Sequence, residues 1–163
     1  MAAQNEGNQM RKRLTCARER GSAAVEFALV LPILVMILMG IIDFGMVTNA
    51  QAIAANAARD GARVASLGGS SSDACQAALS ASKSLVGFTS TGDCSTSMPA
   101  VAIACKTAAG AACAGSYDTS REIGGMVIVT VTYTYRWISP AVFGLPGQST
   151  ISQQAFMRIE TTS

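Results

Sequence analysis

The side chains of this chain that could do chemistry are carboxylates, lysines and five cysteines, because histidine is absent. Without histidine, general acid–base catalysis or metal binding would depend on scattered carboxylates, thiols or lysines. The sequence contains no nucleophile elbow, no phosphate-binding loop and no histidine-based motif. We therefore expect a protein that is not an enzyme and has no cofactor, metal ion or small-molecule substrate. A thiol enzyme is the remaining enzymatic alternative.

One carboxylate, that of Glu26, stands at the start of the most apolar segment. Sixteen consecutive residues from Phe27 to Ile42 carry no formal charge, and small residues extend this segment back to Ser22. An ionised carboxylate in hydrocarbon costs about 2.5 to 3.5 kcal/mol at the centre of a membrane helix and less near an interface. An acid at this position indicates a partner or a specific role.

A basic leader precedes the apolar segment. Before Gly21, five bases oppose two acids, which gives the leader a charge of +3, whereas the remainder of the chain carries −1. Positive charge directly before an apolar helix orients that helix with the leader in the cytoplasm and the C-terminal part exported. The nearly neutral remainder argues against nucleic-acid binding.

The cysteines are distributed in agreement with that orientation. Cys16 lies in the leader, and the other four form an even set in the exported part: Cys75, Cys94, Cys105 and Cys113. In an oxidising compartment these four are candidates for two disulfides, with three possible pairings. A zinc site is disfavoured, because no two of them have zinc-finger spacing and histidine is absent.

The composition divides the chain into four segments. Residues 1–21 form the basic leader, for which we expect no regular structure over residues 1–20. Residues 22–43 have the length of a membrane-spanning helix. Residues 44–69 are rich in helix formers and continue that helix until Gly68-Gly69 stops it. Residues 70–163 are expected to form a small disulfide-bonded domain.

Period-two patterns predict an antiparallel sheet in this exported domain. The strongest strand pattern covers Met126–Trp137, a second covers Thr150–Glu160, and a short third strand is expected within Met98–Cys105. Residues 89–97 and 106–120 are predicted to be loops. The fold class is therefore α+β, a long N-terminal helix followed by a small domain with a short helix and an antiparallel sheet.

The predicted helices contain several positions with a local interpretation. Asp73 and Gln76 resemble a capping box that opens a short helix, which Gly87 would close. Asp43 is interpreted as a solvated residue at the outer boundary of the membrane, in preference to an intersubunit contact. Arg59, Asp60 and Arg63 are interpreted as a surface charge cluster.

Small residues also line the continuation of the long helix, and two interpretations of them stay open. They permit either close packing against neighbouring helices or packing on the chain's own domain. They are Ala50, Ala52, Ala54, Ala55, Ala57, Ala58, Gly61 and Ala62.

The run Gly21-Ser22-Ala23-Ala24-Val25-Glu26-Phe27 resembles the cleavage motif of type IV prepilins. In that class a membrane aspartyl peptidase, the prepilin peptidase, cuts after the glycine on the cytoplasmic side. The resemblance implies processing between Gly21 and Ser22, with Glu26 and Phe27 as part of the recognised motif. The basic leader would hold the substrate at anionic headgroups.

A longer stretch, roughly residues 20–67, resembles the TadE-like family of tight-adherence (Flp) pilus systems. The resemblance is carried by Arg20, Gly21, Val25, Glu26, Phe27, Ala28, Pro32, Gly40, Asp43, Phe44, Gly45, Gly61, Ala62 and Arg63. It implies a pilin-like fold and a pseudopilin or minor pilin that passes once through the bacterial inner membrane. Its expected partners are the prepilin peptidase, other pilins or pseudopilins, and the pilus assembly machinery. Glu26 would pair with the new amine of Ser22 from the next subunit.

Two alternatives to a pilin stay open at this stage. The chain could be an uncleaved signal anchor that displays a surface scaffold or adhesive module. It could also be a conventionally secreted protein cleaved after Ala50-Gln51-Ala52, although its apolar run is longer than an ordinary signal peptide contains. The N-terminal residue of the mature protein separates the three: Ser22, Met1 or Ile53.

Overall fold

The first helix, α1, is the longest element of a computed structural model that describes the backbone of residues 3–138 and 147–161, with side chains from residue 23 onward. The helices are α1 (Ala3–Ser66), α2 (Ser71–Ala81) and α3 (Tyr117–Ser120), and the strands are β1 (Ala100–Lys106), β2 (Met126–Arg136) and β3 (Gln148–Arg158). The chain divides into two units, residues 1–42 and 43–163. The α+β fold class is confirmed.

Helix α1 continues through Pro32 and also through the leader. The prediction that residues 1–20 lack regular structure is therefore wrong for residues 3–20, whose backbone is helical. The leader contains no proline and is rich in alanine, glutamine, lysine and arginine, which have high helix propensity. The polarity of the leader prevents it from forming a hydrophobic core, but a polar segment can still be helical.

Apolar side chains on the N-terminal part of α1 are exposed to a degree that is unusual for a globular core. Phe27 is 61% exposed and Leu29 is 71% exposed, and large apolar side chains as far as Ile42 are likewise exposed. Among the described residues, one helix is long and apolar enough to cross a membrane, and it contains these exposed side chains. It is the candidate membrane span.

The second unit contains a three-stranded antiparallel sheet with the order β1-β2-β3. Alternate side chains of β2, Val127, Val129 and Val131, are fully buried and form a core with α1 and α2. The predicted antiparallel pairing of the last two strands is confirmed, with Val129 opposite Ala155. The end of the longest predicted strand differs by one residue, since β2 stops at Arg136.

Helix α1 ends at the predicted glycine pair. Gly68 has φ +91°, and its amide donates to the Ala65 carbonyl, while the amide of Gly69 donates to the Val64 carbonyl. These two bonds form a Schellman motif, which requires a left-handed residue at Gly68. A β-carbon on Gly69 would lie 2.8 Å from the Val64 carbonyl oxygen, so this second position also requires glycine.

Helix α2 begins three residues before the predicted position. Its N-cap is Ser70, whose hydroxyl accepts from the Asp73 amide, while the Asp73 carboxylate accepts from the Ser70 amide. Asp73 therefore occupies the third helical position of the capping box, and the prediction that it opens the helix is wrong. Hydrogen bonds from the Ser70 hydroxyl and amide hold the pKa of Asp73 below its ordinary value. The helix ends at Ala81, well before Gly87.

Two disulfides crosslink segments of the second unit. Cys75 on α2 is bonded to Cys94, and Cys105 at the end of β1 is bonded to Cys113. The structure thus selects one of the three pairings. Each disulfide ties a predicted loop, residues 89–97 or 106–120, to a regular element.

Removing either disulfide is expected to destabilise the folded domain. The bond between Cys75 and Cys94 spans 19 residues and the other spans 8, so loop-closure entropy assigns about 3 kcal/mol to the first and about 2.5 kcal/mol to the second. The measurement is denaturant unfolding of the full chain in detergent, followed by fluorescence, for the two double alanine variants. A larger loss for the Cys105 and Cys113 pair would contradict the entropic reasoning.

Candidate functional site

The predicted processing motif lies in the helical part of the first unit. The backbone of Gly21 and Ser22 is helical, and Glu26 and Phe27 are exposed on the same helix α1. Ser22 precedes Glu26 by four residues, which is about one helical turn. The side chain of Ser22 lies outside the described residues, and the pairing of Glu26 with the amine of Ser22 in a neighbouring chain stays a prediction.

In the second unit, α1 buries a continuous stripe of side chains that begins at Asp43. The stripe recurs every three or four residues, as one face of an α-helix requires. Its fully buried members are alanines that pack against the valines of β2, namely Ala54, Ala57, Ala58, Ala62 and Ala65. Of the two open interpretations of the small residues, the structure places these alanines against the chain's own domain.

Asp43 is buried, which corrects the prediction of a solvated boundary residue. Only 3% of its surface is exposed. Its Oδ1 accepts a hydrogen bond from the backbone amide of Ile138 at 3.1 Å and another from the Tyr135 hydroxyl at 3.3 Å. Since Ile138 lies two residues after the end of β2, Asp43 joins the first turn of the buried helical stripe to the end of the central strand.

The tyrosine that binds Asp43 belongs to a small aromatic group. The rings of Tyr135 and Trp137 meet edge to face, with centroids 5.4 Å apart. Tyr133 is also buried, and its hydroxyl donates to the Val86 carbonyl at 2.7 Å. Burial raises the pKa of Tyr133, and burial together with the nearby Asp43 carboxylate raises the pKa of Tyr135.

Because folding raises these two pKa values, the neutral tyrosines should stabilise the domain fully below pH of about 10. As the pH rises above that value, the unfolded chain releases its phenolic protons first, so the free energy of unfolding should fall. Absorbance titration at 295 nm checks this expectation in the Tyr133→Phe and Tyr135→Phe variants. Each variant should lack one phenolic titration step that the unaltered chain shows above pH of about 10. If the missing step lies at or below that pH, the expected rise in pKa is contradicted.

Gly61 lies where α1 closely approaches both α2 and β2. A β-carbon at this position would lie 2.9 Å from the Ala74 carbonyl oxygen, 3.2 Å from the Ala78 β-carbon and 3.3 Å from a Val129 methyl group. The nearest of these atoms, the Ala74 carbonyl oxygen, belongs to the backbone and cannot rotate away as a side chain can. Gly61 is thus required by tertiary contact, although it lies inside a helix where glycine is intrinsically unfavourable.

A segment predicted to be a loop forms hydrogen bonds with the C-terminal end of α1 and the residues that follow it. The Tyr117 hydroxyl donates to the Ala65 carbonyl at 2.6 Å, and Arg121 donates from Nη1 to the Gly69 carbonyl at 2.7 Å. Asp118 accepts from the Ser71 amide at 2.8 Å and from the Ser71 hydroxyl. This segment contains the four-residue helix α3, which is too short to show helical periodicity in the sequence.

The three charged residues that were predicted to form a surface cluster lie on the exposed side of α1. Arg59, Asp60 and Arg63 are exposed on α1, in agreement with a surface charge cluster, and Arg59 donates to the Asn56 side chain. Among the residues that the structure describes, no group of three or more cysteine, aspartate or glutamate side chains is placed to bind a metal ion.

Comparison with known protein families gives a match over residues 21–63 to the family model described as TadE-like protein. The predicted resemblance is therefore confirmed for this segment. It begins at Gly21 and includes Glu26, Asp43 and Gly61. Comparisons with curated proteins and with solved structures give no significant match. The family match supports a pilin-like component associated with tight-adherence pili.

Proposed function

We propose that this chain is a pseudopilin or minor pilin of a tight-adherence pilus system, held in the bacterial inner membrane with its C-terminal domain exported. The prepilin peptidase removes the leader between Gly21 and Ser22. The assembly partners are other pilins or pseudopilins and the pilus assembly machinery. Glu26 then pairs with the new amine of Ser22 from the next subunit.

The observation that carries this proposal is the extent of the TadE-like match, residues 21–63. The match starts at the glycine of the cleavage motif, covers the candidate span and ends on the buried stripe of α1. The apolar exposure of residues 25–42 supports a membrane or filament environment for this part of the helix. In low dielectric, the attraction between a carboxylate and an amine is much stronger than in water, which offsets the cost of burying Glu26.

Conventional secretion fits the molecule less well than the pilin function. Ala50-Gln51-Ala52 lies inside α1, and Ala50 and the nearby Ala54 are buried in the domain core. Cleavage after Ala52 would remove Asp43 and nearly three helical turns, about ten residues, at the start of the buried stripe. The domain would then lose the hydrogen bonds to Tyr135 and Ile138.

The processing step is tested by N-terminal sequencing of the full chain extracted from membranes in the presence of the peptidase. We expect the sequence to start at Ser22. A start at Ile53 would indicate secretion, and an intact N-terminus would indicate a signal anchor; either result would contradict the proposed cleavage. A Gly21→Leu variant should keep its leader, because the side chain would obstruct a site that accepts glycine.

Glu26→Ala is expected to insert into the membrane normally and to be lost from assembled pili. The apolar run becomes easier to insert without the acid, but the partner of the Ser22 amine is removed. The measurement is the amount of the chain in sheared pili relative to the membrane fraction. Glu19→Ala is the matched control, since that acid leaves with the leader. Recruitment of Glu26→Ala at the control level would contradict the assembly role.

A further inference from the structure

One end of the second unit carries apolar side chains that its own core does not cover. Val86 is 68% exposed, Ile138 is 57% exposed and Met98 is 38% exposed. Together with Arg136 these residues border an open hollow of about 660 Å³. We refer to Val86, Met98, Arg136 and Ile138 as the proximal rim.

The proximal rim lies beside the first residue after the apolar run. Asp43 follows Ile42 directly in the chain, and the Asp43 carboxylate accepts the amide hydrogen of Ile138. The Tyr133 hydroxyl donates to the Val86 carbonyl, which fastens the turn containing Val86 to the same end of β2. Two hydrogen bonds thus hold Ile138 and the turn containing Val86 at the end of the second unit that contains Asp43.

The composition of the rim matches a membrane–water interface. None of the described residues that line the hollow is acidic, and Arg136 supplies a positive charge. Trp137 lies between Arg136 and Ile138 in sequence, and although its side chain is only partly buried, its indole Nε1 lies inside the domain. Apolar side chains insert at the boundary between headgroups and acyl chains, and basic residues are attracted to anionic lipids.

We propose that the proximal rim is a second membrane contact, in which Val86, Met98 and Ile138 enter the headgroup region and Arg136 binds anionic phospholipid. This inference rests on the proposed function in one respect, which is that α1 spans the bilayer. The contact would hold the exported domain against the membrane before assembly. Withdrawal of the subunit into a filament would then have to break it.

Trp137 provides the probe, because it is the single tryptophan of the chain. The full chain is reconstituted into phosphatidylcholine vesicles with and without phosphatidylglycerol, and its fluorescence is quenched either by lipids brominated near the headgroup or by aqueous iodide. We expect strong quenching by the lipids and weak quenching by iodide. The double variant Val86→Ser with Ile138→Ser should lose lipid quenching and gain iodide quenching.

Ile123→Ser is the matched control. Ile123 is 65% exposed, and it precedes the opposite end of β2. This variant should keep the quenching of the unaltered chain. Arg136→Gln should reduce lipid quenching only in vesicles that contain phosphatidylglycerol.

Two results would overturn the proposal. The first is strong iodide quenching with little lipid quenching in the unaltered chain, which would indicate a rim that is free or meets a protein. The second is equal lipid quenching in the double variant and the Ile123→Ser control. Protease protection of residues 23–42 in the same vesicles reports separately on the span, so failure of the rim contact is distinguishable from failure of membrane insertion.

Discussion

Gly61→Leu is expected to prevent α1 from packing on α2 and β2 and to lower the free energy of unfolding by more than about 3 kcal/mol. Even a single β-carbon would lie 2.9 Å from the Ala74 carbonyl oxygen. Helix α2 cannot easily withdraw, because Cys75 on α2 is bonded to Cys94. Gly61→Ala should destabilise less, since alanine recovers about 1 kcal/mol of helix propensity.

The measurement is denaturant unfolding of the full chain in detergent, followed by the fluorescence of Trp137. Gly45 provides the matched control, because it lies on the same helix and nothing lies within 4 Å of a β-carbon built there. Gly45→Leu should leave the unfolding midpoint of the domain nearly unchanged. If Gly61→Leu and Gly45→Leu unfold at the same denaturant concentration, the close approach at Gly61 does not limit packing.

Asp43→Ala is expected to lower the free energy of unfolding by about 2 kcal/mol or more, because it leaves two donors, the Ile138 amide and the Tyr135 hydroxyl, without their acceptor. An unsatisfied buried donor costs about 1 to 3 kcal/mol, and the Ile138 amide adds less because its hydrogen bond is only partly buried. The loss should be largest at the end of the sheet that carries Tyr135, where the two hydrogen bonds lie. Asp43→Asn should cost less, since its amide oxygen can still accept both hydrogen bonds.

Asp60→Ala is the control for removal of an acid from the same helix, because Asp60 is exposed. A double-mutant cycle with Tyr135→Phe isolates the side-chain pair, and we expect a coupling energy of about 1 kcal/mol or more between Asp43 and Tyr135. Hydrogen exchange of the Ile138 amide gives a second measurement and should accelerate in Asp43→Ala. A stability equal to that of Asp60→Ala, with unchanged exchange at Ile138, would contradict the role of Asp43.

Local patterns predicted most elements of the fold. The period-two pattern of β2 was sufficient because one face of the strand is buried against α1 and the other is not. Gly68-Gly69 stopped α1 as expected, since the Schellman motif depends on local backbone conformation. The start of α2 was misplaced because Ser70 and Asp73 satisfy the capping pattern as well as Asp73 and Gln76 do, and only the hydrogen bonds distinguish the two.

Candidate functional residues that are close together in the sequence were predicted, whereas those that meet only through the fold were missed. The motif around Gly21 and Glu26 is contiguous, so its residues can be read in order without a fold. Tyr117, Asp118 and Arg121 were missed because their partners lie about fifty residues away in the chain, at Ala65, Ser71 and Gly69. An isolated Asp43 in the sequence also gives no sign of the strand that buries it.

The sequence was sufficient to identify the apolar segment with its acid, the glycine before it, the charge of the leader and the alternation of the strands. These depend on residue type and spacing along one local stretch of backbone. Tertiary structure alone decided that Asp43 is buried, that Gly61 must be glycine and which cysteines pair. Each of those depends on distances between segments far apart in the chain, and such distances exist only after the helix and the sheet have packed.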